Sequence, residues 1–236
     1  MKIYFDGCSW TKGAELENEI VEGFSKVDDR KMLQNRLRFS KLLCNELGAE
    51  EYNFAVSGGS NDRIVRNLLV EHNIEDYDLA VIQMTFPVRT EFYNPKSSSK
   101  HPKGKWIKHP KEVKDDWSKV SPKNNYNKWL HGEDGNIERL GEKFKDHADF
   151  WKYYYMHVTC KEYFEVKEKI HYHTIRNSCK IPLVLLTINR WTKLPFDLQL
   201  DDGTRNMRHK MGHPNKELHK HFAKQIYSLA ISSIRS

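Results

Sequence analysis

The apolar residues of this chain occur in short continuous runs that alternate with stretches of helical spacing. The runs predict four strands, each bounded by turn-forming residues, in KIYFDG, EEYNFAV, YDLAVIQMTF and KIPLVLLTINRW. The third and fourth runs are apolar at nearly every position, which is typical of strands that are buried on both faces of a sheet. The first run ends abruptly in a turn-prone cluster, so that Ser9 follows the strand almost directly.

Helices are predicted between these strands from apolar residues three and four positions apart. The first extends from about residue 30 to Gly48, and the second begins at the polar cluster after the second strand. The third extends from about residue 147 to 179, and the fourth from His213 almost to the last residue. The stretch 195–212 is predicted to be an irregular loop. Strands that alternate with helices predict a parallel sheet covered on both faces, so the expected fold class is α/β, a three-layer α/β/α sandwich.

The polar cluster that opens the second predicted helix combines a turn with a helix start. A glycine pair predicts a turn with positive φ, because glycine adopts that conformation without steric cost. Ser60 or Asn61 is a natural N-cap, since a short polar side chain accepts a hydrogen bond from the first helical N–H groups. Asp62 and Arg63 are then expected to form a solvated helix start.

Between about residues 93 and 146 the pattern has no clear period. We interpret this stretch as a basic insertion in a single domain that spans residues 1–236, because no second compact domain is evident. Aromatic residues among its lysines suit stacking on single-stranded nucleic acid or on sugars, and they are Trp106, Trp117, Tyr126 and Trp129. The alternative is a lysine-rich lid whose aromatic rings cover the core.

The composition indicates the kind of partner and the cellular compartment of the protein, but not the reaction that it performs. The chain has 39 Lys and Arg against 32 Asp and Glu, a net charge of +7, which suits a polyanionic partner or simply a soluble basic face. Four cysteines without paired spacing predict free thiols in a reducing compartment. No apolar run reaches the roughly 18 residues of a membrane span, and no signal-peptide pattern is present. We therefore expect a cytoplasmic protein with no membrane contact.

Three candidate chemical groups fall at one edge of the predicted sheet. Ser9 follows the first strand, Gly58 and Gly59 follow the second, and His213 precedes the last helix. In parallel sheets the carboxyl ends of the strands meet at the edge where ligands bind. A serine hydroxyl becomes a useful nucleophile when a histidine takes its proton, and backbone N–H groups at a glycine turn can hold an oxyanion. The alternative for Ser9 is a plain turn residue, and for His213 a helix-start residue that caps or packs.

A metal site is not predicted, although histidines are frequent near residue 213. His209 and His213 lie across a Gly-Pro break rather than on one regular helix, and His219 and His221 follow within the last helix. No carboxylate or cysteine completes a ligand set of the usual kind. We therefore expect neither a metal nor another cofactor.

Three segments of the chain resemble the conserved blocks of the SGNH, or GDSL-like, hydrolase family: FDGCSWTKG, NFAVSGGSND and GHPNKELHKHFA. The resemblance spans nearly the whole chain apart from the basic insertion. It implies a flavodoxin-like sheet, with Ser9 as nucleophile, Gly58 in the oxyanion hole and His213 as base. The Gly-Cys-Ser and Gly-Gly-Ser-Asn variants are similar to family members encoded by bacteriophages, for which a virion is the alternative location.

Two positions depart from the family pattern. Thr85 stands near the place of the asparagine that completes the family's oxyanion hole, and Gln83 or Asn61 are alternative donors. Lys210 occupies the position of the family's acid, three residues before the histidine, and a lysine cannot orient an imidazolium. Asp202 or its neighbour Asp201 is expected to take that role, with a backbone carbonyl as the alternative.

The resemblance implies a serine hydrolase of esters that works through an acyl-enzyme. The acyl group is expected to be small, for example an O-acetyl group on a carbohydrate, because nothing marks a long lipid channel. The alternative is a catalytically inactive protein of the same fold that binds a polyanion, a glycan or a structural partner through its basic insertion. The sequence leaves the oligomeric state open.

Overall fold

The computed structural model describes residues 1–18, 27–89, 91–94, 105–108, 160–200 and 213–235. The chain divides into two compact units, one formed by Met1–Arg89 with His171–Ser236 and the other by Thr90–Ile170. The single domain with an insertion at about 93–146 therefore remains a prediction.

The structure contains seven described strands and six described α-helices. The strands are β1 (Lys2–Asp6), β2 (Glu50–Asn53), β3 (Leu79–Met84), β4 (Glu91–Asn94), β5 (Lys105–Lys108), β6 (Leu183–Thr187) and β7 (Leu198–Gln199). The helices are α1 (Ser9–Lys12), α2 (Val27–Leu37), α3 (Phe39–Leu47), α4 (Asn61–Arg66), α5 (Lys161–Ser178) and α6 (Lys216–Arg235).

Five of these strands form one parallel sheet in the first unit. Their order is β2-β1-β3-β6-β7, and every neighbouring pair is parallel. Counted along the chain, this is the order 2-1-3-4-5 of the flavodoxin-like doubly wound sheets, in which the carboxyl ends of the strands form the ligand-binding edge. The predicted α/β class with a parallel, flavodoxin-like sheet is confirmed.

The alternation of side chains along β1 explains how helices cover both faces of this sheet. Ile3 and Phe5 belong to a core that includes residues of α3 and α6, whereas Tyr4 belongs to a second core that includes residues of α4 and the end of α5. Successive residues of a strand point to opposite faces, so β1 contributes to both layers. β3 is buried at all six positions, as its continuous apolar run predicts.

The single helix predicted from about residue 30 to 48 is in fact two helices. Arg38 is extended, with ψ 145°, and separates α2 from α3. Two tertiary contacts stabilise the break: the Arg38 guanidinium makes two 2.8 Å hydrogen bonds to the carboxylate of Glu51, and Phe39 N–H donates to His219 Nδ1 at 3.1 Å. The predicted end at Gly48 is confirmed, since Gly48 is the left-handed C-cap of α3.

The remaining differences concern short elements with weak sequence signals. The stretch predicted as an irregular loop contains β7, whose two residues pair with β6. In the other unit, β4 and β5 form an antiparallel pair within the stretch that lacks a hydrophobic period. Of the helix predicted from about residue 147, the structure describes Lys161–Ser178 as α5, and residues 147–159 lie outside the described part of the chain.

Candidate active site

Ser9 is the first residue of α1, directly after the turn that ends β1. A Cβ on Gly7 would lie 2.5 Å from Thr11 Oγ1 and 3.1 Å from Gln83 Cβ, so only glycine fits this turn. The helix is one turn long and ends at Gly13 in the left-handed conformation, where Ala14 N–H donates to Ser9 O at 2.9 Å. Ser9 is 4% exposed. The turn therefore places this serine just beyond the carboxyl end of the interior strand β1.

The Ser9 hydroxyl contacts the neighbouring thiol, which is itself fixed by an amide from β3. Ser9 Oγ lies 3.9 Å from Cys8 Sγ. Cys8 Sγ lies 3.5 Å from Gln83 Oε1 and 3.4 Å from Gln83 Nε2. Gln83 Oε1 also accepts from Thr11 Oγ1 at 2.8 Å, and Nε2 donates to Met84 O at 3.1 Å. Both ends of the Gln83 amide are thus engaged with the turn and with β3. This argues against its use as an oxyanion donor.

Cys8, which precedes Ser9, is a buried thiol close to the positive charge of Arg89. Burial by itself raises the pKa of the Cys8 thiol, because it disfavours the thiolate. The positive charge of Arg89 and hydrogen bonds from neighbouring groups more than compensate, so the pKa of Cys8 lies below its ordinary value.

His213 is paired with a carboxylate that the sequence did not suggest. Its Nδ1 lies 2.7 Å from Glu15 Oε2, and the two side chains are 14% and 12% exposed. Glu15 has a φ of 72° in the loop that follows α1, a left-handed conformation that is uncommon for a residue other than glycine. Because Glu15 is six positions after Ser9, this contact joins the histidine to the same short segment that carries the serine.

Aromatic packing also places the helix that follows His213 beside α1. Trp10 in α1 stacks on Phe222 in α6, with ring centroids 6.0 Å apart and an interplanar angle of 16°. Among the described hydrogen bonds, none joins Ser9 Oγ to His213; the hydroxyl instead donates to Cys8. Glu15 and Trp10 thus connect the segment that carries Ser9 with His213 and with α6.

The glycine pair after β2 lies against the turn that carries Ser9. Gly58 has a φ of 73°, as its predicted turn requires. A Cβ on Gly59 would lie 3.0 Å from both Gly7 O and Val56 O. Gly59 N–H donates to Val56 O at 2.8 Å, which closes the turn. The two turns are therefore in backbone contact at the carboxyl edge of the sheet.

Arg63 is a buried structural residue, so the prediction that it forms a solvated helix start is wrong. It is 4% exposed and forms an ion pair with Asp6, which is fully buried. Its guanidinium also donates to Gly7 O and Phe54 O, both at 3.0 Å. Asp6 holds further donors, including Gly7 N–H at 2.7 Å. This buried pair ties the turn after β1 to the segment after β2.

The N-cap of α4 is Ser60, whose hydroxyl accepts from Arg63 N–H at 3.2 Å. Asn61 is the next residue and serves another purpose. Its Oδ1 accepts from Thr85 N–H at 2.8 Å and its Nδ2 donates to Thr85 O at 3.0 Å. This reciprocal pair joins the start of α4 to the end of β3. Asn61 is therefore engaged with backbone, and its place in an oxyanion hole stays a prediction.

Arg89 is a second residue that the sequence analysis did not single out. It follows β3, and its Nη1 donates to Thr85 Oγ1 at 2.8 Å and to Gly59 O at 3.5 Å. Thr85 is fully buried, and because its oxygen accepts from Arg89, its own proton is available for another acceptor. A signal for Arg89 was present: a basic residue just beyond the carboxyl end of a buried central strand.

Several residues of the sequence-based hypothesis cannot be placed. Asp201, Asp202, His209 and Lys210 lie outside the described residues. His219, in contrast, is a core residue of α6 that accepts the Phe39 N–H. Within the described ranges, no three His, Cys, Asp or Glu side chains are grouped as a metal would require.

No described helix is both long and apolar enough to cross a membrane.

No protein-family model matches the chain. A comparison with characterised proteins likewise gives no match.

The similarity found lies among solved structures. The chain is similar to the crystal structure of TesA, with 10% identity, a TM-score of 0.48 and coverage of 99% of both chains. It is also similar to a family two carbohydrate esterase from Clostridium thermocellum in complex with cellohexaose, with 13% identity and a TM-score of 0.44. That match covers 96% of this chain and 62% of the other. A carbohydrate esterase family 2 enzyme from Corynascus (Myceliophthora fergusii) is similar at 10% identity and a TM-score of 0.48, over 100% of this chain and 67% of the other.

Proposed function

We propose that the protein is a serine hydrolase of esters, with Ser9 as nucleophile, His213 as general base and Glu15 as the acid that orients it. The observation that carries the proposal is the 2.7 Å contact between His213 Nδ1 and Glu15 Oε2, on the segment that begins with Ser9. A carboxylate on Nδ1 keeps the proton there, so that Nε2 carries the lone pair that a general base needs.

Glu15 supplies what the sequence lacks at Lys210. The third group of such a triad orients the imidazole and stabilises its charged form, and it does not react itself. A carboxylate from any part of the chain can therefore serve if its geometry is right. In this proposal Glu15 takes the role that the sequence analysis expected of Asp202.

In the proposed reaction the Ser9 hydroxyl exchanges one hydrogen-bond acceptor for another. The Ser9 hydroxyl leaves Cys8 Sγ and donates to His213 Nε2 by rotation about its Cα–Cβ bond. The contact that it gives up is long, at 3.9 Å, and sulfur is a weak acceptor. We expect substrate binding to bring about this rotation, since catalytic hydrogen bonds are often long or poorly aligned before substrate binds.

Chemistry then proceeds through an acyl-enzyme. Ser9 Oγ bonds to the acyl carbon as its proton passes to His213, and the alcohol leaves with that proton when the tetrahedral intermediate collapses. Water repeats the sequence and releases the acid. The backbone N–H groups of Ser9 and Gly58 are proposed to hold the oxyanion, with the Thr85 hydroxyl as a third donor. The substrate class proposed is a small acyl ester, such as an O-acetyl group on a carbohydrate.

The test combines labelling with turnover. Wild type and the variants Ser9→Ala, His213→Ala and Glu15→Gln are treated with a fluorophosphonate and analysed by mass spectrometry, and each is assayed with p-nitrophenyl acetate. Ser228→Ala and His221→Ala are matched controls, because both residues are exposed on α6. Label confined to Ser9 and turnover lost only in the site variants support the proposal. Turnover that is insensitive to Ser9 and His213 contradicts it.

One observation favours a second candidate function. Ser9 Oγ bonds to Cys8 and, among the described hydrogen bonds, not to His213, as in a protein that keeps the fold without the chemistry. Such a protein would bind a polyanion or a structural partner, for example in a virion, through its basic insertion. Retention on immobilised heparin that falls with salt and is unchanged by Ser9→Ala, without any fluorophosphonate label, would favour this candidate.

A further inference from the structure

Two arginines and two aromatic rings form a continuous strip at the carboxyl ends of β3 and β6. Arg89 Cζ lies 5.5 Å from the ring centroid of Phe86, and Arg190 Cζ lies 4.8 Å from that of Trp191. The two rings are 6.4 Å apart, which joins the pairs. We call these four residues the arginine–aromatic strip. Because β3 is the neighbour of β1 in the sheet, the strip begins beside the turn that carries Ser9.

Neither arginine of the strip has a carboxylate partner among the described residues. Arg89 bonds two neutral oxygens, Thr85 Oγ1 and Gly59 O. Other arginines of the same unit are paired with an Asp or Glu at 2.8 Å or less: Arg38, Arg63, Arg66 and Arg176. Among the described residues, the strip thus brings together two arginines that have no carboxylate partner. Guanidinium groups bind carboxylates and phosphates through charge-assisted hydrogen bonds, so such a pair favours an anionic ligand.

The shape of the strip suits a ligand larger than an acyl group. Trp191 is 47% exposed, although it is among the largest apolar side chains. An exposed ring next to arginines offers a flat surface to a sugar or an aromatic ring. Arg89 lies at the inner end, where its charge already lowers the pKa of the Cys8 thiol. A small acyl group at Ser9 does not extend as far as the carboxyl end of β6, whereas the alcohol part of an ester can.

We propose that the arginine–aromatic strip binds the alcohol part of the ester substrate and that this part carries a carboxylate or phosphate. The proposal rests on the proposed function and specifies its substrate class: an acylated, negatively charged compound with a ring that packs on Trp191. Arg89 and Arg190 contact the anion, and Trp191 contacts the ring.

The test compares esters that differ in charge. The neutral ester is methyl 4-acetoxybenzoate, and the anionic esters are 4-acetoxybenzoate and 4-acetoxyphenyl phosphate. For each protein the ratio of kcat/KM on an anionic ester to kcat/KM on the neutral ester is measured, so that differences in leaving-group chemistry cancel between variants. The variants are Arg89→Gln, Arg190→Gln and Trp191→Ala, and Lys193→Gln is the matched control, because it removes an exposed cation from the same loop.

We expect the ratio to fall about tenfold in Arg89→Gln and severalfold in the exposed Arg190→Gln, and to stay unchanged in Lys193→Gln. The anionic ester with the larger effect identifies the anion. In Trp191→Ala, we expect KM to rise for all three esters, because each carries a ring. If the arginine variants lose kcat/KM equally on neutral and anionic esters, the proposal is overturned. Such a result would mean that Arg89 stabilises the oxyanion, which forms on every ester. An unchanged ratio would overturn it as well.

A binding measurement separates failure of this proposal from failure of the hydrolase itself. The product 4-hydroxybenzoate is titrated into Ser9→Ala, wild type and the arginine variants, and Trp191 is followed by NMR of its indole N–H. Saturable binding that weakens in Arg89→Gln and Arg190→Gln supports the strip even if no ester is hydrolysed. Absence of binding in a protein that hydrolyses esters through Ser9 overturns the strip and leaves the hydrolase intact.

Discussion

The substitution Glu15→Gln tests the central step of the proposed chemistry. The amide keeps the size of the side chain and can still accept from His213 Nδ1, so the change removes the negative charge and little else. That charge matters most when His213 has taken the Ser9 proton and is an imidazolium, because the neutral imidazole of the resting enzyme needs it less. The loss should therefore appear in kcat rather than in KM.

The expected size follows from the geometry. The contact is short, at 2.7 Å, and the side chains are only 14% and 12% exposed, so solvent screens it weakly. A hydrogen bond to a charged group contributes about 1.5–3 kcal/mol. If about 2 kcal/mol of that is expressed in the transition state, kcat falls about 30-fold, since each 1.36 kcal/mol is tenfold in rate.

The assay is the rate of Ser9 acylation by p-nitrophenyl acetate in single turnover, measured beside Asp202→Asn. Glu46→Gln is the matched control, because it removes an exposed glutamate from α3. A circular-dichroism melt confirms that each variant is folded. If Glu15→Gln is acylated at the wild-type rate while Asp202→Asn is acylated much more slowly, the role given to Glu15 is refuted. Asp202, the residue that the sequence suggested, would then be the acid.

Three further predictions concern the residues around the site and the hydrophobic core. Gly59→Ala is expected to destabilise the protein by about 1–3 kcal/mol, measured by urea unfolding, because its Cβ would lie 3.0 Å from two backbone oxygens; an unchanged midpoint would contradict this. Arg63→Met should cost about 3–5 kcal/mol, since it leaves Asp6 buried and unpaired. Burial raises the pKa of Asp6 above its value in the unfolded chain, so without the arginine the folded state binds more protons there, and stability should increase as pH falls from 7 toward the ordinary pKa of an aspartate. A variant that loses stability as pH falls over that range would contradict this role of Asp6. Burial, helped by the nearby Glu51 charge, raises the pKa of Cys44 to about 12, so at pH 8 iodoacetamide should modify the exposed Cys160 first and Cys44 only on unfolding; early modification of Cys44, read by mass spectrometry, would contradict this.

The continuous apolar runs and glycine turns of the sequence were sufficient to predict the parallel sheet. A run such as that of β3 predicts burial on both faces wherever it occurs, and the structure buries all of its residues. Gly48 ends α3 as predicted, because the left-handed C-cap is a local property of the backbone. Local preferences of this kind act within a few residues, so they are visible in the sequence alone.

Some predictions from local patterns were wrong, because the structure there depends on residues that are distant in the sequence. Leucine spacing alone does not distinguish one helix from two, and the break at Arg38 depends on partners from β2 and α6 that the local sequence does not contain. Arg63 was expected to be solvated because charged residues usually are, yet Asp6 compensates its charge in the interior. β7 has only two residues, too few for a recognisable period.

The acid that we propose for the site, Glu15, could be recognised only from the tertiary structure. Glu15 and His213 are 198 positions apart, and the search for an acid near the histidine led to Asp202 instead. Arg89 likewise gains its position from the way β1, β3 and the turn after β2 meet. Ion pairs and hydrogen bonds act over a few ångströms in space whatever the separation along the chain. The residues at the edge of the sheet could therefore be predicted from the sequence, but their partners could be identified only once the chain had folded.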